Sequence, residues 1–299
     1  PVNILLQPRD YLSSFMLFFG MGAGYIGILL MQPQMKMPFY IKFNSQEAGM
    51  LWPALFITVA CGAVSGFHSL IASGTSSKQI ASERHVKRIG YGAMVAEAIL
   101  AILAIISVAV LFEKNDNFTE ALKNLTPIGI FGKGYGLITQ NILSGYGQLI
   151  AITILNAFIL TTLDTATRIA RYLSEELFKI NNRYISTAVI IIISAGLAVS
   201  GKWAKLWPAF GASNQLVAAL ALLVLSCWLL TKKRNIQFTL WPAVFMLATT
   251  IAALIMQAVK YFSQKELTLF TISIALIILA GFMVYEVITK SVLRRPRHA

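Results

Sequence analysis

An all-α integral membrane fold is what this sequence predicts, and three observations predict it. The 299 residues are 57% hydrophobic and only 12% charged, with a mean hydropathy of +0.70, well outside soluble composition. A hydrocarbon core of ~30 Å asks for about 20 apolar residues at 1.5 Å rise each. Eight stretches meet that length, at about 11–31, 51–72, 89–112, 146–167, 184–201, 207–230, 239–259 and 268–289. If each crosses once, Arg9, Arg84, Arg88, Arg168, Arg171, Arg183, Arg234, Arg294, Arg295 and Arg297 all fall on one side, while the opposite loops hold lysines only. The positive-inside rule then places both termini in the cytoplasm and accounts for the net charge of +13 without nucleic acid.

Along the first stretch, Gly20-x-x-x-Gly24 permits close helix approach, and packing is its expected role. Residues 32–50 form an outer loop with Pro33 and Pro38. The second stretch is the one that does not look like an anchor. It carries Gly62, Gly66 and Gly74, His68, and hydroxyls at 65, 69, 73, 75, 76 and 77. An unpaired polar group in hydrocarbon costs several kcal/mol, so these groups must face a cavity, a neighbouring helix or a cargo. A helix opened near Gly62–Gly66, exposing backbone carbonyls and amides, is one way transporters build a binding site. The candidate substrate-binding residues are therefore Gly62, Ser65, Gly66, Phe67, His68 and Ser69. His68 reads either as a partner for a substrate carboxylate or proton, or as a structural histidine bonded between helices.

Ser82–Arg88 is a basic cytoplasmic loop suited to anionic lipid. In the third stretch Glu97 lies about 13 Å in from the cytoplasmic end. It is a proton carrier or a structural carboxyl, and both readings stay open. Residues 113–145 form the longest loop, on the outside. Asn117 and Glu120 resemble a capping box opening a short helix through Asn124. The glycines from Gly129 to Gly147 favour a plain connection over a mobile lid, and the sequons at Asn117 and Asn124 assign no compartment.

The fourth stretch ends in Thr161, Thr162, Asp164, Thr165 and Thr167, oxygen-bearing side chains of the kind hard cations take as ligands. The alternative is an i,i+4 pair of Asp164 with Arg168 at the interface. The fifth stretch reads as packing. Asn214 and Gln215 open the sixth, where interhelical hydrogen bonds are the expected role over gating. Trp241, Tyr261 and Tyr285 mark the last two as peripheral scaffold. The expected division is a transporter core over 1–231, then two peripheral helices and a basic cytoplasmic tail over 232–299. Cys61 and Cys227 lie in apolar runs, which argues against a disulfide framework.

Four stretches resemble the carbon starvation protein A family of bacterial inner-membrane transporters: Pro8–Ser14, Ala60–Thr75, Thr161–Arg168 and Phe210–Leu216. The second is long and compositionally odd, which makes the match specific. The resemblance implies a symporter that imports peptides or pyruvate under nutrient limitation, coupled to protons or sodium, by alternating access. The family is similar to the amino acid–polyamine–organocation superfamily, whose core is an inverted repeat of five helices plus five with the first helix of each repeat broken. On that likeness the first stretch resembles the fifth core helix, the region around Ser65–His68 the broken sixth, and Thr161–Thr165 the eighth. In sodium-coupled relatives hydroxyls there line a cation site. Thr161, Thr162, Asp164 and Thr165 match that pattern with Thr in place of Ser.

Family members are longer at the amino end. The repeat that would face Gly62–His68 is absent, and the first residue is Pro1, so the chain reads as an excerpted part that would not transport alone. The partners implied are a small-molecule substrate, a coupling ion, the lipid bilayer and that amino-terminal repeat, with no cofactor, no metal and no nucleic acid. An enzyme built on His68, Glu97 and Asp164 around a metal lacks recognisable ligand spacing, so no enzymatic activity is expected. A membrane sensor or scaffold without transport is the alternative function, with only the basic loop at 82–88 and the tail at 290–298 as handles.

Overall fold

The computed structural model describes residues 4, 7–40, 43–45, 49–112, 125–179, 182–201 and 203–292. Its helices are α1 (Gln7–Met31), α2 (Phe56–Ala63), α3 (Gly66–Ile71), α4 (Ser77–Gln79), α5 (Val86–Leu111), α6 (Pro127–Ile138), α7 (Gln140–Leu143), α8 (Gly147–Phe178), α9 (Arg183–Val199), α10 (Trp203–Thr231), α11 (Gln237–Ser263) and α12 (Leu267–Val292). The two-residue strands Asn44–Ser45 and Gly49–Met50 pair antiparallel.

Among the described residues, six helices are long and apolar enough to cross a membrane. At most 39% of any such apolar window is buried within the protein. Surface that apolar is stable only against lipid, and the chain is a multi-pass membrane protein. The other two expected crossings differ from plain spans. Residues 51–72 are broken, and α9 has 17 residues, about 25 Å of helix.

The chain divides into two compact units, one of residues 1–41 and 81–190 and the other of residues 42–80 and 191–299. In the first, the glycines of α1 are contact points. A Cβ on Gly20 would lie 2.8 Å from Ile154, one on Gly24 2.8 Å from Leu103, and one on Gly27 2.6 Å from the Ile138 carbonyl. Leu103, Tyr135 and Ala151 form the buried cluster beside them.

Helix α6 is where the structure departs furthest from the expected connection. Thr126 Oγ1 accepts from the Gly129 N–H at 3.2 Å and Pro127 opens the first turn, so the start is capped. Gly134 sits against the Ser107 backbone so closely that a Cβ would lie 2.0 Å from its carbonyl oxygen. The Tyr135 hydroxyl donates to the Gly20 carbonyl at 2.7 Å. Glycines that read as loop residues are where α6 packs closely, Gly132 and Gly136 against α8 and Gly134 against α5. The expected capping box at Asn117–Glu120 lies outside the described residues.

Helix α8 also runs past its expected end near 167, reaching Phe178. Its polar extension carries an i,i+4 pair, Arg171–Glu175 at 3.6 Å, and ends on Lys179 in the left-handed region (φ 54°).

In the second unit, α11 packs into the interior. Ile57, Ala212, Ala253 and Leu254 form one buried cluster, and Ala218, Ala219 and Met246 another. Trp52 Nε1 donates to Thr249 Oγ1 at 3.3 Å. In packing terms, therefore, the helices after residue 231 share a core with α2 and α10.

Candidate functional site

The polar second stretch is not one rod. α2 ends at Ala63, Ser65 is extended (φ −112°, ψ 125°), and α3 starts at Gly66. Breaking a helix leaves amide groups without their usual partners, and in hydrocarbon they need others. Ser65 Oγ accepts from the His68 N–H at 3.2 Å, an N-cap. Two further groups are met from α10. Asn214 Oδ1 accepts from the Phe67 N–H at 2.7 Å and from the Ser65 hydroxyl at 3.3 Å.

The close approach this requires rests on Gly66. A Cβ there would lie 2.3 Å from the Asn214 carbonyl oxygen, 2.6 Å from Val217 Cβ and 2.8 Å from the Ala218 nitrogen. Gly62 lies in the last turn of α2. Phe67 is half-buried, while His68 is exposed. Beyond the break the hydroxyls turn inward on their own helix: Ser69 donates to the Gly66 carbonyl at 2.7 Å, Ser73 to Leu70 at 3.1 Å and Ser77 to Ser73 at 3.0 Å.

In the first unit, the threonine cluster lies near the middle of α8. Thr161 donates to the Phe158 carbonyl at 2.7 Å, Thr165 to Thr161 at 3.2 Å and Thr167 to Leu163 at 2.8 Å. A hydroxyl that has donated its hydrogen keeps its lone pairs, so these oxygens remain able to accept a cation. Thr162 is exposed. Asp164 is engaged from α1, since Arg9 Nη2 reaches its Oδ2 at 2.5 Å and also pairs with Asp10 at 3.0 Å. The partner is long-range, not the neighbouring Arg168. Glu97 lies on an exposed face of α5. Among the described residues, no three His, Cys, Asp or Glu side chains converge as metal ligands would.

Two further residues, Arg9 and Asn214, bond to the candidate residues. Local spacing reveals neither, because each acts on a stretch more than a hundred residues away. Both lie within the stretches that carry the family resemblance. The structure joins those stretches in pairs: Pro8–Ser14 meets Thr161–Arg168 through Arg9–Asp164, and Ala60–Thr75 meets Phe210–Leu216 through Ser65, Phe67 and Asn214.

The family model described as "Carbon starvation protein CstA" matches residues 1–121 and 113–253. A peptide transporter CstA of Campylobacter jejuni is 32% identical over 87% of this chain and 47% of its own length. The pyruvate/proton symporter BtsT of Escherichia coli is 30% identical over 89% of this chain and 49% of its own. A peptide transporter CstA of Escherichia coli is 30% identical over 85% of this chain and 46% of its own. The chain thus spans about half the length of the curated relatives it matches. No solved structure matches it significantly. With the family model covering most of its length, the chain belongs to the carbon starvation protein CstA family.

Proposed function

We propose that the chain serves a secondary active transporter that imports peptides or pyruvate-like small organic acids by alternating access. The observation that carries this reading is the break at Ser65 inside a stretch long and apolar enough to span a bilayer. An opened helix there leaves polar backbone groups that a cargo can meet. The names of the relatives, peptide transporter and pyruvate/proton symporter, support the substrate class.

Gly62, Ser65, Gly66, Phe67, His68 and Ser69 line the substrate side, with His68 facing a carboxylate or a proton. Thr161, Thr162, Asp164 and Thr165 take the coupling cation, and Glu97 is a proton carrier. The relative named a proton symporter favours protons over sodium. An amino-terminal repeat facing Gly62–His68 completes the site. The protein moves its cargo chemically unchanged. Its arginine distribution supports placement in a bacterial inner membrane with both termini of this chain in the cytoplasm. In role, residues 1–231 form the transport core and 232–299 flank it.

Tracer uptake by the full-length protein tests this, comparing pyruvate with a dipeptide under separate sodium and proton gradients. Uptake of one substrate driven by one gradient is expected, and Gly66→Leu together with Thr162→Val should abolish it. Uptake that survives the double substitution would refute the assignment.

A further inference from the structure

Asn214 has a hydrogen-bonding group that the helix break does not use. Its side chain is 5% exposed, and its orientation is fixed by its neighbours. The Phe67 N–H can only donate, so the group 2.7 Å from it must be the amide oxygen. The Ser65 hydroxyl at 3.3 Å adds a second donor to that same oxygen. Nδ2, carrying two N–H donors, must therefore point away from these bonds. It is buried and has no hydrogen-bond partner among the described residues. Native proteins rarely leave a buried donor unpaired, and an exception asks for an explanation such as a water, an ion or a ligand.

The chemistry of that partner follows from the group itself. An amide nitrogen with two hydrogens accepts nothing, so it repels ammonium groups and metal cations and selects an oxygen acceptor. Position narrows the choice further. The same amide holds the N–H of Phe67 and the hydroxyl of Ser65, two of the residues at the opened helix. Gly66 lies close against the α10 backbone at Asn214, Val217 and Ala218, so the amide stands directly beside the break.

We propose that Asn214 Nδ2 binds a carboxylate oxygen of the transported molecule, while Oδ1 holds the helix open beside it. The inference rests on the transporter reading above and deepens it. A carboxylate is also the anionic group that a peptide and a 2-oxo acid share. It makes Asn214 a specificity residue for the anionic end of the cargo.

The test measures binding and uptake by the full-length protein of two matched pairs, pyruvate with pyruvamide and alanylalanine with alanylalanine amide. The unmodified protein should prefer the acid of its substrate pair at least tenfold. Asn214→Asp keeps an oxygen facing Phe67 and Ser65 but replaces the donor with a second acceptor. It should raise KM for the acid at least tenfold with little change in kcat, and should erase or invert the acid-over-amide preference. Asn214→Ala, which removes both functions, should lower kcat as well. An unmodified protein that binds acid and amide alike overturns the inference without any variant having to fold. So does a well-expressed Asn214→Asp protein that keeps the original preference, which would leave Nδ2 facing a structural water. If the unmodified protein binds and carries neither pair, the transporter reading itself fails, and this inference with it.

Discussion

Replacing Gly66 with alanine is the sharpest structural perturbation available. The added Cβ would lie 2.3 Å from the Asn214 carbonyl oxygen and 2.8 Å from the Ala218 nitrogen, against 3.4 Å or more for ordinary contact. Both neighbours are backbone in the middle of α10, so neither can rotate aside. The break and α10 must separate by about 1 Å to restore normal packing. The same movement would stretch the 2.7 Å bond from Phe67 N–H to Asn214 Oδ1 beyond hydrogen-bonding range. Overpacking of this kind costs roughly 1–3 kcal/mol, and stranding a buried amide adds about 1–3 more. A loss near 4 kcal/mol is therefore expected, about the middle of that range. Gly74→Ala is the matched control, because its Cβ meets nothing within 4 Å. It should be neutral or stabilising by up to ~1 kcal/mol, the helix-propensity gain. Thermal unfolding of the two purified variants in one detergent makes the comparison. Midpoints within a degree or two of each other would refute the packing described around the break.

Other outcomes follow from the remaining contacts. Arg9→Gln should retain uptake but shift its dependence on the coupling cation, because Asp164 loses its guanidinium partner. The exchange Arg9→Asp with Asp164→Arg should recover expression without recovering coupling. Its stability should change little, since both side chains are more than a third exposed and solvent screens them. Thr162→Val should weaken cation dependence more than Thr167→Val, which sits a turn and a half further along α8 and only loses a bond to Leu163; a cation titration of uptake rates reads the difference. Tyr135→Phe removes the bond to the Gly20 carbonyl and should cost about 1 kcal/mol, whereas Gly134→Ala drives a Cβ into the Ser107 carbonyl and should cost more than twice that. Chemical denaturation of the two variants ranks them.

What the sequence disclosed and what it withheld divide along a physical line. Apolar runs and arginine placement depend on local composition, and they located the long helices. The break at Ser65 was legible because glycines weaken the helix there, although the hydroxyls at 69, 73 and 77 bond back to their own helix. α6 was not legible, because glycines at 129, 132, 134 and 136 weaken helix propensity locally, and the last three gain their role only from Ile152, the Ser107 backbone and Gln148 that fill the space beside them. The extension of α8 to Phe178 was missed because polarity ends a span before it ends a helix. Sequence spacing points to a partner of Asp164 at i+4, Arg168. The partner is instead Arg9 on another helix, which only tertiary packing reveals. Asn214 was read as an interhelical bond, and it makes one, but its attachment to the break is a fact of packing.

The claim on which the account depends is that the opened helix meets cargo. The direct measurement replaces Cys61 and Cys227 with serine and introduces His68→Cys, an exposed position just past the break. The full-length protein is then treated with a water-soluble maleimide, with and without pyruvate or a dipeptide. The account predicts labelling from water that the transported substrate slows at least several-fold. Labelling at an unchanged rate with either substrate, on protein that still carries that substrate, would contradict it.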